Sequence, residues 1–149
     1  MFWIGKDVEV FSAQKEFIDT AIVPLTVIDG SPIGMKQSAS AAEFLMSLTA
    51  FVEQQFKGRV MIMPPFSYTN SMVKKDYIQA IDEELKLAGF KYIFYMTSDH
   101  SWTSAAPELS VLWLPSIPLG DMDQSVKQSV LSDQIRQVVP MLSSKWSEL

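Results

Sequence analysis

The chain has 149 residues, 48% hydrophobic and 19% charged, with a formal net charge of -5. That length suits one folded domain over residues 1–149, and the apolar content excludes wholesale disorder. The acidic balance gives no global attraction to phosphate backbones, so no nucleic-acid partner is expected, and the absence of cysteine excludes disulfides, thiol catalysis and thiolate metal sites.

Asp7 to Asp19 reads as the first helix, with Val10, Phe11, Phe17, Ile18 and Ala21 on one face. The β-branched run from Ala21 to Ile28 follows as a strand. Pro24 has no N–H to donate, so this strand is expected at a sheet edge, or to begin after Pro24. Asp29-Gly30-Ser31-Pro32 ends it with turn chemistry. For the second helix, Ser40 and Glu43 form a capping-box pattern and Gly58 sits where a terminating glycine belongs. Between them Phe44, Leu45, Leu48, Val52 and Phe56 recur at helical spacing. Arg59 to Met63 is a short buried strand stopped by Pro64-Pro65.

The third helix starts near Asn70 or Ser71 and ends at Gly89, with Ile78, Ile81, Leu85 and Ala88 as its apolar stripe. Lys74, Lys75, Asp76, Asp82, Glu83, Glu84 and Lys86 read mostly as a solvated outer face. Tyr92 to Met96 is apolar on both parities and suits a central strand covered on two faces. Val111 to Leu114 is a fourth strand. The stretch between it and its predecessor is barely long enough for a parallel crossover, so its direction is left open, with a slight lean to a mixed sheet. Asp121 or Asp123 caps the last helix, whose stripe runs from Leu131 to Trp146, and Pro140 is expected to kink or break it.

Strands alternating with helices at this spacing specify an α/β fold. We expect a three-layer sandwich with a four-stranded, mostly parallel sheet flanked by helices, Rossmann-like or flavodoxin-like in general architecture. No stretch approaches the ~20 apolar residues of a membrane span, and Met1-Phe2-Trp3-Ile4 is too short for a secretory signal. The expectation is a cytoplasmic protein without membrane insertion.

The chain resembles the YpiF-like family of small uncharacterised proteins from low-GC Gram-positive bacteria. The resemblance rests on Asp19-Thr20-Ala21-Ile22-Val23-Pro24-Leu25, Met63-Pro64-Pro65-Phe66-Ser67-Tyr68 and Leu114-Pro115-Ser116-Ile117-Pro118-Leu119-Gly120-Asp121. It implies a bacterial cytoplasmic setting and carries no functional residue. The stretch from Arg59 to Met96 is also similar to the small α/β domains of periplasmic assembly proteins such as TolB, a likeness of fold alone.

In open α/β sheets ligands bind beyond the carboxyl ends of the strands. Those ends are Asp29-Gly30-Ser31, the segment from Pro65 to Thr69 and the segment from Thr97 to Trp102, with Ser116 joining them if the fourth strand is parallel. Asp29, Ser67, Tyr68, Asp99, His100 and Ser101 are therefore the candidate ligand crevice. His100, the sole histidine, suits a general base, with Asp99 or Asp29 orienting it and Ser67 or Ser101 as nucleophile. The plainer alternative is that Asp99 or Ser98 caps a short helical turn containing Trp102, with His100 exposed on it.

No cofactor is expected. The segment Gly30-Ser31-Pro32-Ile33-Gly34 lacks the third glycine of a dinucleotide fingerprint and the Gly-Lys-Ser/Thr ending of a phosphate loop. No metal is expected either, because one histidine and scattered carboxylates lack ligand spacing. Trp3 and Trp102, near a terminus and in a polar loop, are candidate interface residues, since exposed aromatics are enriched where proteins meet. The favoured expectation is a small cytoplasmic interaction or assembly protein without catalytic activity, self-associating or bound to a protein partner. The alternative is a small-ligand-binding domain or hydrolase that uses the crevice.

Overall fold

Alternation along the strands sets the layers. In the computed structural model, which describes residues 1–148, the chain runs α1 (Gly5–Ala13), β1 (Thr20–Val27), α2 (Met35–Gln55), β2 (Val60–Ile62), β3 (Phe66–Tyr68), α3 (Lys74–Ala88), β4 (Tyr92–Thr97), α4 (Trp102–Ala105), β5 (Ser110–Trp113) and α5 (Gln124–Trp146). Ile22, Val60, Ile62, Phe94, Met96 and Leu112 point to one face and pack with Phe44, Leu45 and Leu48 of α2 and Leu131, Val138 and Leu142 of α5. Ala21, Val23, Leu25, Met61 and Tyr95 point to the other, against Phe11 of α1, Ile78 and Leu85 of α3, and Trp102 of α4. One sheet thus serves two cores, and the three-layer α/β expectation holds.

The sheet has five strands rather than four, and every pairing is parallel. β1 carries β2 and β3 end to end on one side and β4 on the other, with β5 beyond β4. Taken as one interrupted edge strand, β2 and β3 give the flavodoxin-like strand order. The chain travels from β1 to β2 over the α2 face and from β3 to β4 over the α3 face. Opposite directions over opposite faces are what a single crossover hand requires. The lean towards a mixed sheet is corrected, because α4 and its flanking turns span the gap and deliver β5 parallel to β4.

Pro24 is also corrected: it lies in the most central strand, opposite Met96 of β4. The hydrogen bonds explain how. Thr20 N–H donates to the Arg59 carbonyl at 3.2 Å, Met63 N–H to the Ile22 carbonyl at 2.8 Å and Ile28 N–H to the Tyr68 carbonyl at 2.7 Å. Even-numbered residues of β1 therefore turn their backbone groups towards β2 and β3. Pro24 falls opposite the Pro64-Pro65 break between those two strands, where no ladder bond is forgone.

The helices depart from the reading of the sequence in several places, and α3 starts at Lys74 rather than near Asn70 or Ser71. α1 ends at Ala13, and a separate turn, closed by the Phe17 and Ile18 N–H groups on the Gln14 carbonyl, delivers Ile18 to the core and leaves Phe17 exposed. α2 starts before the Ser40–Glu43 pair, because Ser31 organises its entry: the Ser31 Oγ accepts from Gly34 N–H at 3.0 Å and its carbonyl from Met35 N–H at 2.9 Å. α5 runs through Pro140 without a break.

Other boundaries match. Gly89 closes α3 at φ 111, where a side chain would be strained, and Asp123 caps α5 by accepting from Val126 N–H at 2.9 Å. Asp82 is not on a solvated face. It is 6% exposed and accepts the Tyr95 hydroxyl at 2.7 Å, tying α3 to β4. Among the described residues no helix is long and apolar enough to cross a membrane.

Candidate functional site

The chain leaves β1 over one face of the sheet and β4 over the other. These neighbouring strands therefore part at their carboxyl ends, which is where a doubly wound sheet opens a crevice. A cleft of about 270 Å³ lies there. Leu25, Val27 and Leu45 form its apolar side, and Asp29, Gln37, Ser38, Asn70, Ser98, Asp99, His100 and Ser116 supply polar groups.

Asp29 is positioned by the exit of β1. Its backbone N–H donates to Ser38 Oγ at 3.1 Å, and that hydroxyl donates to the Val27 carbonyl at 2.6 Å, which fixes the strand end to α2. The carboxylate accepts Ser31 N–H at 2.9 Å, and the Ser31 backbone and side chain hold it below the ordinary carboxylate value. It lies so close to Gly34 that a Cβ there would fall 1.9 Å from Asp29 Oδ2, so only glycine allows this approach.

Asp99 follows β4. Its N–H donates to Thr97 Oγ1 at 3.0 Å, and its Oδ1 accepts the Ser101 N–H at 3.0 Å and the Ser101 hydroxyl at 2.8 Å. Behind it, the Tyr68 hydroxyl donates to Oδ2 at 2.5 Å and itself accepts the Trp102 indole N–H at 2.6 Å. Lys74 Nζ lies 3.5 Å from Oδ2 and donates to Ser101 Oγ at 2.5 Å. Burial pushes the Asp99 carboxyl up, but the Tyr68 and Ser101 hydrogen bonds and the Lys74 charge outweigh it and hold the group below its ordinary value. The Tyr68 hydroxyl is pushed up, first by burial and then by its bond to Asp99. At neutral pH the cleft thus presents two ionised carboxylates. Next to Asp99, the Ser98 Oγ is buried and has no hydrogen-bond partner among the described residues.

Of the residues singled out in the sequence, the structure brings Asp29, Asp99 and His100 onto one cleft. Tyr68 sits behind Asp99 as its donor, and Ser101 belongs to the same network without lining the cleft. Ser67 is not brought in: it is exposed on β3, with Oγ 3.1 Å from Thr26 Oγ1. His100 is exposed and packs edge-on against Trp113, ring centroids 5.0 Å apart. Among the described residues its ring makes no hydrogen bond. The short helical turn containing Trp102 forms as α4, but Ser101 is its cap residue and makes no side-chain cap bond; Asp99 holds Ser101 from outside.

Trp102 is corrected as an interface residue. It is fully buried, because the Tyr68 hydroxyl gives its indole N–H a partner inside the core. Trp3 is 43% exposed, beside exposed Phe2 and Ile4, and borders an apolar groove of about 220 Å³ with Met46, Pro64 and Pro65. Sequence reasoning missed Lys74, which its charged neighbours made look solvated. It also missed Gln37 and Ser38, which became legible only once Ser31 had moved the start of α2 to Met35. Among the described residues no group of three or more His, Asp or Glu side chains is placed to hold a metal ion.

Fold and cleft together define a doubly wound α/β domain of flavodoxin-like strand order, with a carboxylate-bearing crevice at its switch point. The chain belongs to the family described as protein of unknown function (DUF2487), which matches residues 9–146. It is 29% identical over 150 residues to the uncharacterized protein YpiF of Bacillus subtilis (strain 168), covering 100% of both chains. The YpiF-like resemblance read from the sequence is therefore borne out. No solved structure matches.

Proposed function

We propose that this protein is a binding domain for a small polar molecule held in the switch-point cleft, acting in the bacterial cytoplasm. The observation that carries this is the cleft of about 270 Å³ at the switch point, which sets the Asp29 and Asp99 carboxylates beside Leu25, Val27 and Leu45. Small-molecule sites are concave, with apolar lining and a few placed polar groups, and this cleft has that make-up. Binding is favoured over hydrolysis. The two serines named as nucleophiles are engaged elsewhere, Ser67 with Thr26 and Ser101 with Asp99 and Lys74.

The test is a thermal-shift screen of sugars, nucleotides, sugar phosphates and amines on the parent and on Ala42→Phe. Ala42 is half-buried and lines the cleft, so the larger ring fills it. A ligand at 100 times its dissociation constant adds about 2.7 kcal/mol, a rise of roughly 5–10 °C for a domain of this size. The expected result is a hit on the parent that Ala42→Phe loses. A screen in which the two proteins respond alike refutes the reading.

A second reading is favoured by the exposed Phe2-Trp3-Ile4 cluster beside Met46: self-association through that face. Sedimentation of the parent and Trp3→Ser decides it. A dimer that Trp3→Ser dissociates supports the reading, and a parent that stays monomeric removes it.

A further inference from the structure

Doubly wound domains commonly gather phosphate at the N-terminus of the helix that follows the first strand. Here that position is already taken. The Asp29 carboxylate lies against Gly34 at the entry to α2, close enough that a Cβ there would meet it. A phosphate arriving at those N–H groups would meet a fixed negative charge.

The rest of the lining has the same sense. It holds two carboxylates, Asp29 and Asp99, and no lysine or arginine. Lys74, which pairs with Asp99 Oδ2 at 3.5 Å, does not line the cleft. Its Nζ is bound to Ser101 Oγ and lies 5.3 Å from the ring centre of Tyr68 and 5.5 Å from that of Trp102. The same lining holds Leu25, Val27 and Leu45 as apolar surface, with the neutral amides of Gln37 and Asn70.

Resting on the cleft reading above, we propose that the occupant is an organic cation: an ammonium group on a small apolar body, not a phosphate-bearing ligand. The ammonium lies between Asp29 and Asp99, where charge-assisted hydrogen bonds replace its lost water. The apolar body lies along Leu25 and Leu45.

Calorimetric titration of the full chain tests this with tyramine, with its neutral analogue 4-hydroxyphenylethanol, in which a hydroxyl replaces the ammonium, and with adenosine monophosphate. The variants are Asp29→Asn and Ala42→Phe, each compared with the parent by circular dichroism. Tyramine is expected to bind the parent at least ten-fold more tightly than either other probe. Asp29→Asn should weaken it about ten-fold or more, the worth of one charged hydrogen bond. Ala42→Phe should abolish binding.

Adenosine monophosphate or the neutral analogue binding as well as tyramine, in a manner lost in Ala42→Phe, overturns the cation and leaves the cleft reading standing. So does a screen whose cleft-dependent ligands are phosphates or sugars. No ligand of any class that depends on Ala42 overturns both.

Discussion

Replacing Tyr68 by Phe removes one oxygen and breaks two bonds at the base of the cleft. The Trp102 indole N–H, on a side chain with no exposure, loses its acceptor at 2.6 Å. Asp99 loses its donor at 2.5 Å. An unsatisfied buried donor costs about 1–3 kcal/mol, and a hydrogen bond to a charged group is worth about 1.5–3 kcal/mol. Asp99 keeps Ser101, Lys74 and some water, so the second figure falls at its lower end. The expected loss at neutral pH is about 2–4 kcal/mol, on the order of 10 °C in melting temperature for a domain of this size.

The loss also depends on pH. The folded-state value of Asp99 lies below its ordinary 3.8, so the stability it contributes is full above 3.8 and is lost as pH falls through the folded value. Tyr68→Phe removes one of the bonds that lower it, so the gap between parent and variant is widest at neutral pH and narrows below about pH 4. Urea denaturation followed by circular dichroism, at pH 7 and in steps down to pH 3, measures both effects. A gap under about 0.5 kcal/mol at pH 7, or one that stays constant into acid, refutes the reasoning, since surface changes fall in that range.

Asp82→Ala should cost about 1–3 kcal/mol in the same assay, because it strands the Tyr95 hydroxyl in the core. Lys86→Ala, which removes the 67% exposed partner on the other Asp82 oxygen, should stay within about 1 kcal/mol. Pro140→Ala should stabilise the protein by about 1–2 kcal/mol, since it restores an N–H to the interior of α5 at an exposed position. An unchanged urea midpoint would count against that account of the helix.

The parts of the fold legible beforehand were those decided by local spacing. The stripe from Phe44 to Val52 placed the body of α2, Gly89 marked the end of α3, and the doubly apolar run from Tyr92 marked a covered strand. The errors came where a partner distant in sequence decides. Pro24 reads as an edge residue until the break at Pro64-Pro65 is laid beside it. Phe66-Ser67-Tyr68 is too short to read as a strand without β1 alongside. Asp82 and Lys74 look like solvated charges because Tyr95, Tyr68 and Trp102, which receive them, come from other elements.

The site followed the same division. The rule that ligands sit beyond strand ends found Asp29, Asp99 and His100. It could not separate Tyr68, which points inward to Asp99, from Ser67 beside it, since neighbours on a strand face opposite ways. Trp102 looked stranded in a polar loop because the hydroxyl that receives its N–H lies 34 positions earlier.

The interrupted border of the sheet has one more consequence. Open strand margins invite other chains to extend the ladder, the usual first step of aggregation. On this side the margin of β2 is closed by the chain itself, with Ile62 N–H on the Met1 carbonyl at 2.8 Å and Trp3 N–H on the Ile62 carbonyl at 3.1 Å. β3 turns its end residues inward to β1 and leaves Ser67 alone facing out, with Pro64-Pro65 between the two pieces. An incoming strand therefore finds no continuous row of free amides here, and whatever docks on this flank is gripped by side chains such as Trp3 and not by shared backbone.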